Sequence, residues 1–447
     1  MAARTRTLVE GPIVPTLLRL AAPNVAVMMM LALVSTADAY WIGRLGPDAL
    51  AGVSLVFPLL MLMQTMSAGG MGGGVASAVA RTLGAGRRDD ANALVLHAVV
   101  IALVMGALFT AGVLAGGPLA YRAMGGRGGA LDAAQAYSLV IFAGATAPWL
   151  FNTLSSVVRG AGNMAVPALT MMVTGALQLA LCPVLVLGLA GAPRLGIAGA
   201  GVASVAAFAL GSALLVGFLF SGRSLVTPTL RGFQLRPRLF ADILRVGAPG
   251  ALNTVLTNLT IVVITGLVGS YGTHALAGFG MAARLEYLLI PLVFGFGSAL
   301  VTMVGTNVGA GHLARAERVA WVGAALAGGV TGAIGLTAAL APSLWIGLFT
   351  TEPEVLAFGA RYLSLVGPCY AFFGLGLALY FASQGAGRLM WPLAAGALRL
   401  AIAGGGGWLI TRAFGAGLDA LFAVIALALI AFGSTVAVAI RRGAWRR

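Results

Sequence analysis

Lysine is absent from this chain: all 27 basic side chains are arginines. That absence excludes a phosphate-binding loop closing on Gly-Lys-Ser/Thr and a Schiff-base lysine for retinal or pyridoxal phosphate. An ATP-driven pump encoded within the chain is therefore not expected. Charge of any sign is scarce, at 9% of residues against about a quarter in a soluble domain. Cysteine is limited to Cys182 and Cys369, far apart in apolar segments, which is no disulfide framework. His97, His274 and His312 are scattered without metal-ligand spacing. No Ser/His/Asp arrangement and no close pair of acids stands out either. The sequence predicts neither an enzyme nor a cofactor or metal protein.

What the chain has is apolar length. Of its 447 residues, 60% are hydrophobic, and runs of the roughly 20 apolar residues that a spanning helix needs recur throughout. Twelve spans are predicted, at 15–41, 49–78, 92–118, 131–158, 164–190, 196–221, 241–269, 275–306, 318–349, 355–382, 389–412 and 416–440. Pro23, Pro58, Pro148, Pro249, Pro291 and Pro368 fall inside them, where neighbouring helices can satisfy the freed carbonyls. The N-terminus reads as the approach to the first span, not as a removed signal peptide.

A net charge of +15 does not point to nucleic acid here, because the arginines sit at the breaks between apolar runs. Assigned to alternating sides of twelve spans, 19 arginines fall on the side of both termini and 6 on the other, with Arg284 and Arg399 inside spans. The positive-inside rule then places both termini in the cytoplasm, with the protein in a bacterial-type inner membrane.

The chain also repeats itself. LLRLAAP ending at Pro23 meets LRVGAP ending at Pro249, and GRLGPDALAG (43–52) meets GSYGTHALAG (269–278), both at a shift of 226. GAG (84–86) meets GAG (309–311), and RGAGNMAVP (159–167) meets QGAGRLMWP (384–392), at a shift of 225. Six spans per half give both halves the same orientation, so the repeats are parallel and related by an axis along the membrane normal. The predicted fold class is an all-α integral membrane protein with twelve transmembrane helices in two six-helix lobes. The lobes are 1–221 and 241–447, joined by a basic cytoplasmic linker at 222–240.

These motifs, with LGIAGAGVAS (195–204), resemble the multidrug and toxic-compound extrusion (MATE) family from about Thr16 to about Ile440. The resemblance implies two lobes around a cleft open to one side at a time. It implies exchange of H⁺ or Na⁺ for a small amphipathic, often cationic compound, by a protein expected to act as a monomer in the bilayer. A lipid-linked oligosaccharide flippase of the same broad fold group is the alternative. It predicts an arginine-rich cleft, and few arginines fall inside the spans.

Asp38, in the first span, is the sharpest candidate. A carboxylate inside a membrane is expensive unless paired, protonated or hydrated. Its repeat counterpart is Ile264, so the scaffold does not need an acid there. The matching Asp in the family is the coupling-ion residue. Many members carry Asn-x-x-x-Asp before a Pro in the fifth span; the matching residues here are Gln178 and Cys182, before Pro183. Ser204 matches a family Thr in the sixth span. Hard cations prefer oxygen ligands, so loss of the second carboxylate favours a proton over Na⁺. Asn152 is read as a polar neighbour of Asp38 in the same lobe. Glu286, whose counterpart is Leu60, is read as facing the substrate cleft. Arg284, two positions away, points to a different helix face, and Arg399 can neutralise an acid across the C-terminal lobe. The run SAGGMGGGVAS (67–77) is read as close helix packing.

Overall fold

The computed structural model describes residues 3–228 and 234–446. Among these, regular structure is helical throughout: α1 Ala3–Glu10, α2 Ile13–Gly43, α3 Pro47–Thr65, α4 Gly72–Gly84, α5 Arg88–Ala123, α6 Gly128–Ala143, α7 Thr146–Gly160, α8 Ala165–Leu187 and α9 Ile197–Phe220. Then follow α10 Pro237–Gly269, α11 Thr273–Gly309, α12 Leu313–Leu340, α13 Ser343–Ile346, α14 Pro353–Val366, α15 Tyr370–Ala386, α16 Met390–Leu400 and α17 Leu418–Arg441. A π-helical turn at 66–71 joins α3 to α4, and two more, at 401–406 and 409–413, extend α16. Eleven of the resulting helices are long and apolar enough to cross a membrane, and the pair α6–α7, bent by 47°, makes a twelfth span.

The predicted spans reappear with three corrections. The fourth breaks at Gly144–Ala145, and Pro148 lies in the first turn of α7, where its missing N–H is harmless. Pro368 likewise sits in a 3-10 turn (367–369) between α14 and α15, not inside a continuous helix. The ninth span stops at Leu340 rather than running to 349, because Pro342 cannot continue the ladder and the short α13 follows.

The chain divides into two compact units, residues 20–247 and residues 3–19 with 248–447. Each holds six spans. The division departs from the predicted lobe boundaries at both leading segments. Residues 3–19 pack within the unit of the second half, and the described part of the linker, with the start of α10, packs within the first. Arg231 lies outside the described residues, as does Arg447. The first unit's core is built on Trp149, Tyr121 and Phe142, the second's on Tyr362, Tyr370 and Phe422, all fully buried.

The repeated glycines prove to be positions the backbone dictates. Gly46 and Gly272 cap α3 and α11 with φ of 111° and 110°, a region that is essentially glycine-only. Gly86, Gly311, Gly162 and Gly387 all close helices at φ between 74° and 82°. The earlier glycine of each RGAG/QGAG run serves contact instead. A Cβ on Gly160 would stand 2.5 Å from the Ala76 carbonyl oxygen, and one on Gly385 2.6 Å from that of Val301. Those partners are again 225 residues apart. The 67–77 run follows the same logic, since a Cβ on Gly72 would meet Ser156 Oγ at 2.6 Å.

Candidate functional site

Asp38 lies on α2 about 7–8 Å before the helix end, at about 1.5 Å per residue, and is partly buried. Gln178 Nε2, on α8, donates to its Oδ2 at 2.6 Å. One turn further along α8 the fully buried Cys182 sets its thiol beside the same carboxylate. A thiol is only a weak donor, and Oδ1 receives no nitrogen or oxygen donor among the described residues. The contact depends on a close approach of the two helices. A Cβ on Gly175, three residues before Gln178, would lie 2.5 Å from Met30 Cγ and 2.7 Å from its Sδ. Glycine at 175 thus lets α2 settle onto α8 and brings Asp38 within reach of the amide.

Tyr137, on α6, was not foreseen. It is 6% exposed and lies close to both Asp38 and Cys182. No sequence signal separates it from an ordinary core tyrosine. Asp38 therefore sits among an amide, a thiol and a phenol, with no second carboxylate bonded to it among the described residues.

Two residues expected near Asp38 are not hydrogen-bonded to it. Asn152, on α7, donates instead to Ser67 Oγ at 2.8 Å and Gln64 Oε1 at 3.1 Å. It belongs to a polar seam at the π-helical turn that continues through Ser156, bonded to the Asn152 carbonyl, to Arg159. The buried face of α7 meets α4 and this turn, which fixes where Asn152 points. Ser204, on α9, is half-buried and forms no hydrogen bond among the described residues.

The three residues assigned to the substrate cleft separate as well. Glu286 (α11) and Arg399 (α16) form an ion pair inside the second unit, Arg399 Nη2 to Glu286 Oε1 at 2.8 Å, with side chains only 10% and 8% exposed. Tyr362 donates to Glu286 Oε2 at 3.3 Å, and the Arg399 guanidinium lies 5.2 Å from the centre of the Phe373 ring. Glu286 is thus a neutralised, enclosed carboxylate and not an open one. Arg284 is exposed, 5.4 Å from the Phe349 ring centre, and takes no part in the pair.

Comparison with known proteins follows the same two-part pattern. The family model described as MatE matches twice, at residues 23–184 and 249–409. The two segments start 226 residues apart and end 225 apart (23 to 249, 184 to 409), the internal repeat seen in the sequence. An FAD transporter of Shewanella oneidensis is 26% identical over 377 residues, covering 84% of this chain and 82% of that protein. A probable multidrug resistance protein of Bacillus subtilis, YoeA, is 27% identical over 364 residues, covering 78% and 76%. The solved structure of a MOP superfamily transporter from Pyrococcus furiosus superposes with a TM-score of 0.90 at 24% identity, over 100% of this chain and 99% of that one. Sequence repeat, helical architecture and family match agree: this chain is a multi-pass membrane transporter of the multidrug and toxic-compound extrusion family.

Proposed function

We propose that this transporter is an antiporter that exports small amphipathic, cationic compounds against an inward flux of protons, with Asp38 as the residue that carries the proton. The observation behind this reading is the Asp38–Gln178 contact at 2.6 Å in a site otherwise furnished with a thiol and a phenol. A carboxylamide suits both states of a carboxyl group. Its NH₂ donates to the carboxylate, and its carbonyl accepts from the protonated acid. Na⁺ finds less here. Beyond Asp38 the neighbours offer one amide oxygen, and a neutral thiol is a poor ligand for a hard cation.

One proton exchanged for one monovalent cation moves no net charge, so the driving force is ΔpH, about 1.4 kcal/mol or tenfold accumulation per pH unit. The reading includes a monomer in the cell's inner membrane, with both termini cytoplasmic. It also includes the two six-helix repeats as the parts that alternate access. The flippase alternative loses support because the buried arginine of the second unit is already committed to Glu286, leaving it unavailable to a phosphate. The multidrug relative agrees with amphipathic cargo; the FAD-transporting relative widens the range of compounds worth assaying.

The test is dye transport into the lumen of inverted vesicles, the export direction in that orientation, with ΔpH and ΔNa⁺ imposed separately. The expected result is efflux driven by ΔpH alone and abolished in Asp38→Asn. Uphill efflux by that variant with an unchanged pH profile would remove Asp38 from the mechanism, and efflux driven by ΔNa⁺ at ΔpH of zero would replace the ion.

A further inference from the structure

At the arginine-rich end of the second unit a groove of about 480 Å³ runs along the last turns of α17 and the first turn of α16. Trp391, Val438 and Ala439 form its apolar wall, and Ser434, Thr435 and Arg442 its polar points. We propose that this groove binds one anionic phospholipid. Arg442 takes the phosphate, and the hydroxyls of Ser434 and Thr435 meet the polar groups below it.

Three observations carry the assignment. The first is uncompensated charge. Arg442 is exposed and has no ion pair or hydrogen-bonded side-chain partner among the described residues. Arg446, four residues on, is held by Glu317 at 3.0 and 2.8 Å. The second is unspent hydroxyls. Nearly every threonine in these helices bonds the carbonyl one turn back, as Thr331, Thr337 and Thr411 do at 2.9 Å. Ser434 and Thr435 make no hydrogen bond among the described residues, although they line the groove. They lie about 10–12 Å along the helix from Arg442 at about 1.5 Å per residue, with Val438 and Ala439 between.

The third observation is that the wall is built rather than incidental. Gly443, at φ 81°, turns the chain back. Trp445 is buried and donates to Ser383 Oγ at 3.3 Å, and Arg446 is clamped on Glu317. Arg442 and Ala444 are thereby fixed as one side of the groove. Across it stands Trp391, 55% exposed, in the first turn of α16, whose free amides add positive potential. Tryptophan beside arginine at the end of a spanning helix is the chemistry of the headgroup level, and basic pockets between helices at that level take anionic headgroups.

The experiment uses the full chain in detergent, delipidated and titrated with fluorescent phosphatidylglycerol or phosphatidylcholine. The expected result is one saturable phosphatidylglycerol site, with phosphatidylcholine bound several-fold more weakly. Arg442→Gln weakens it about fivefold, the worth of one basic residue against an anionic lipid, and Arg442→Lys restores it. Trp391→Ala weakens both lipids. Both substituted positions are exposed, so the variants fold, and monodispersity on gel filtration verifies that. Equal binding of the two lipids, or an unchanged affinity in Arg442→Gln, overturns the proposal. So does displacement by inorganic phosphate as effective as by lipid, which would make the groove a free-anion site. Asp38→Asn binds phosphatidylglycerol like the unmodified protein, so failure of proton coupling and failure of the lipid site read out separately.

Discussion

Asp38, partly buried, and Glu286, buried, are handled in opposite ways. Glu286 is cancelled by Arg399 at 2.8 Å, whereas Asp38 has one amide, one thiol and an oxygen without a strong donor. Breaking a buried pair from one side strands a charge and costs about 3–5 kcal/mol, while replacing both partners is often neutral. Arg399→Met should therefore lower the thermal midpoint in detergent sharply, and Arg399→Met with Glu286→Gln should recover most of the loss and retain ΔpH-driven efflux. Gln178→Leu should do the converse. Loss of a hydrogen bond to a charged group, about 1.5–3 kcal/mol, should reduce ΔpH-driven efflux roughly tenfold or more. Chain stability should change far less, which vesicle efflux beside a melting curve will show.

At this scale the sequence was partly legible. Asp38 was readable as an acid inside an apolar span with Ile264 as its repeat counterpart, and Gln178 and Cys182 by their register against Pro183. Asn152 was not placed correctly, because composition does not say which face of α7 meets the π-helical turn. Tyr137 carried no signal at all.

At the scale of elements, the glycine pattern allows a test in which equal space gives opposite outcomes. Gly46 and Gly272 have nothing within 4 Å of where a Cβ would sit, and so do Gly217 and Gly266 inside helices. The first two hold φ near 110°. Gly46→Ala and Gly272→Ala should each destabilise by about 1–3 kcal/mol. Gly217→Ala and Gly266→Ala should be neutral or stabilise by up to about 1 kcal/mol. Melting curves of the four variants decide whether backbone strain or packing governs these sites. The same physics explains what was legible in the elements. Span number follows from apolar length, which is local. The break at Gly144–Ala145 and the π-helical turns depend on neighbouring helices, and a single run of apolar letters does not record them.

For the whole molecule, the least legible feature is where each leading segment packs. The sequence places 1–221 in one lobe, yet residues 3–19 belong with the second unit and 237–247 with the first. The crossing points, 19–20 and 247–248, fall in the repeated LRLAAP and LRVGAP motifs. Each segment is pinned beside a GAG turn. Asn307 Nδ2 donates to the Leu8 carbonyl at 3.1 Å, and Arg315 donates to that of Gly11. In the first unit, His97 Nε2 accepts the Arg236 backbone N–H at 2.8 Å. That fixes its proton on Nδ1, which donates to the Ala93 carbonyl at 2.8 Å. Asp90, the repeat counterpart of Arg315 at the shift of 225, ion-pairs Arg238 at 2.8 Å.

The two latches are equivalent in place but different in chemistry, so they should fail independently. Trypsin cuts after arginine, and arginines flank both segments. His97→Leu removes the acceptor for the Arg236 amide, a part-buried hydrogen bond worth about 0.5–1.5 kcal/mol. It should speed cleavage after Arg238 by up to roughly tenfold and leave the N-terminal arginines untouched; the Arg236–Pro237 bond resists trypsin in any case. Asn307→Leu should expose Arg4 and Arg6 instead and leave the linker as it was. If either variant loosened both segments together, the latches would not be separate. The leading segments would then answer to one global unfolding event, not to the unit on which each is packed.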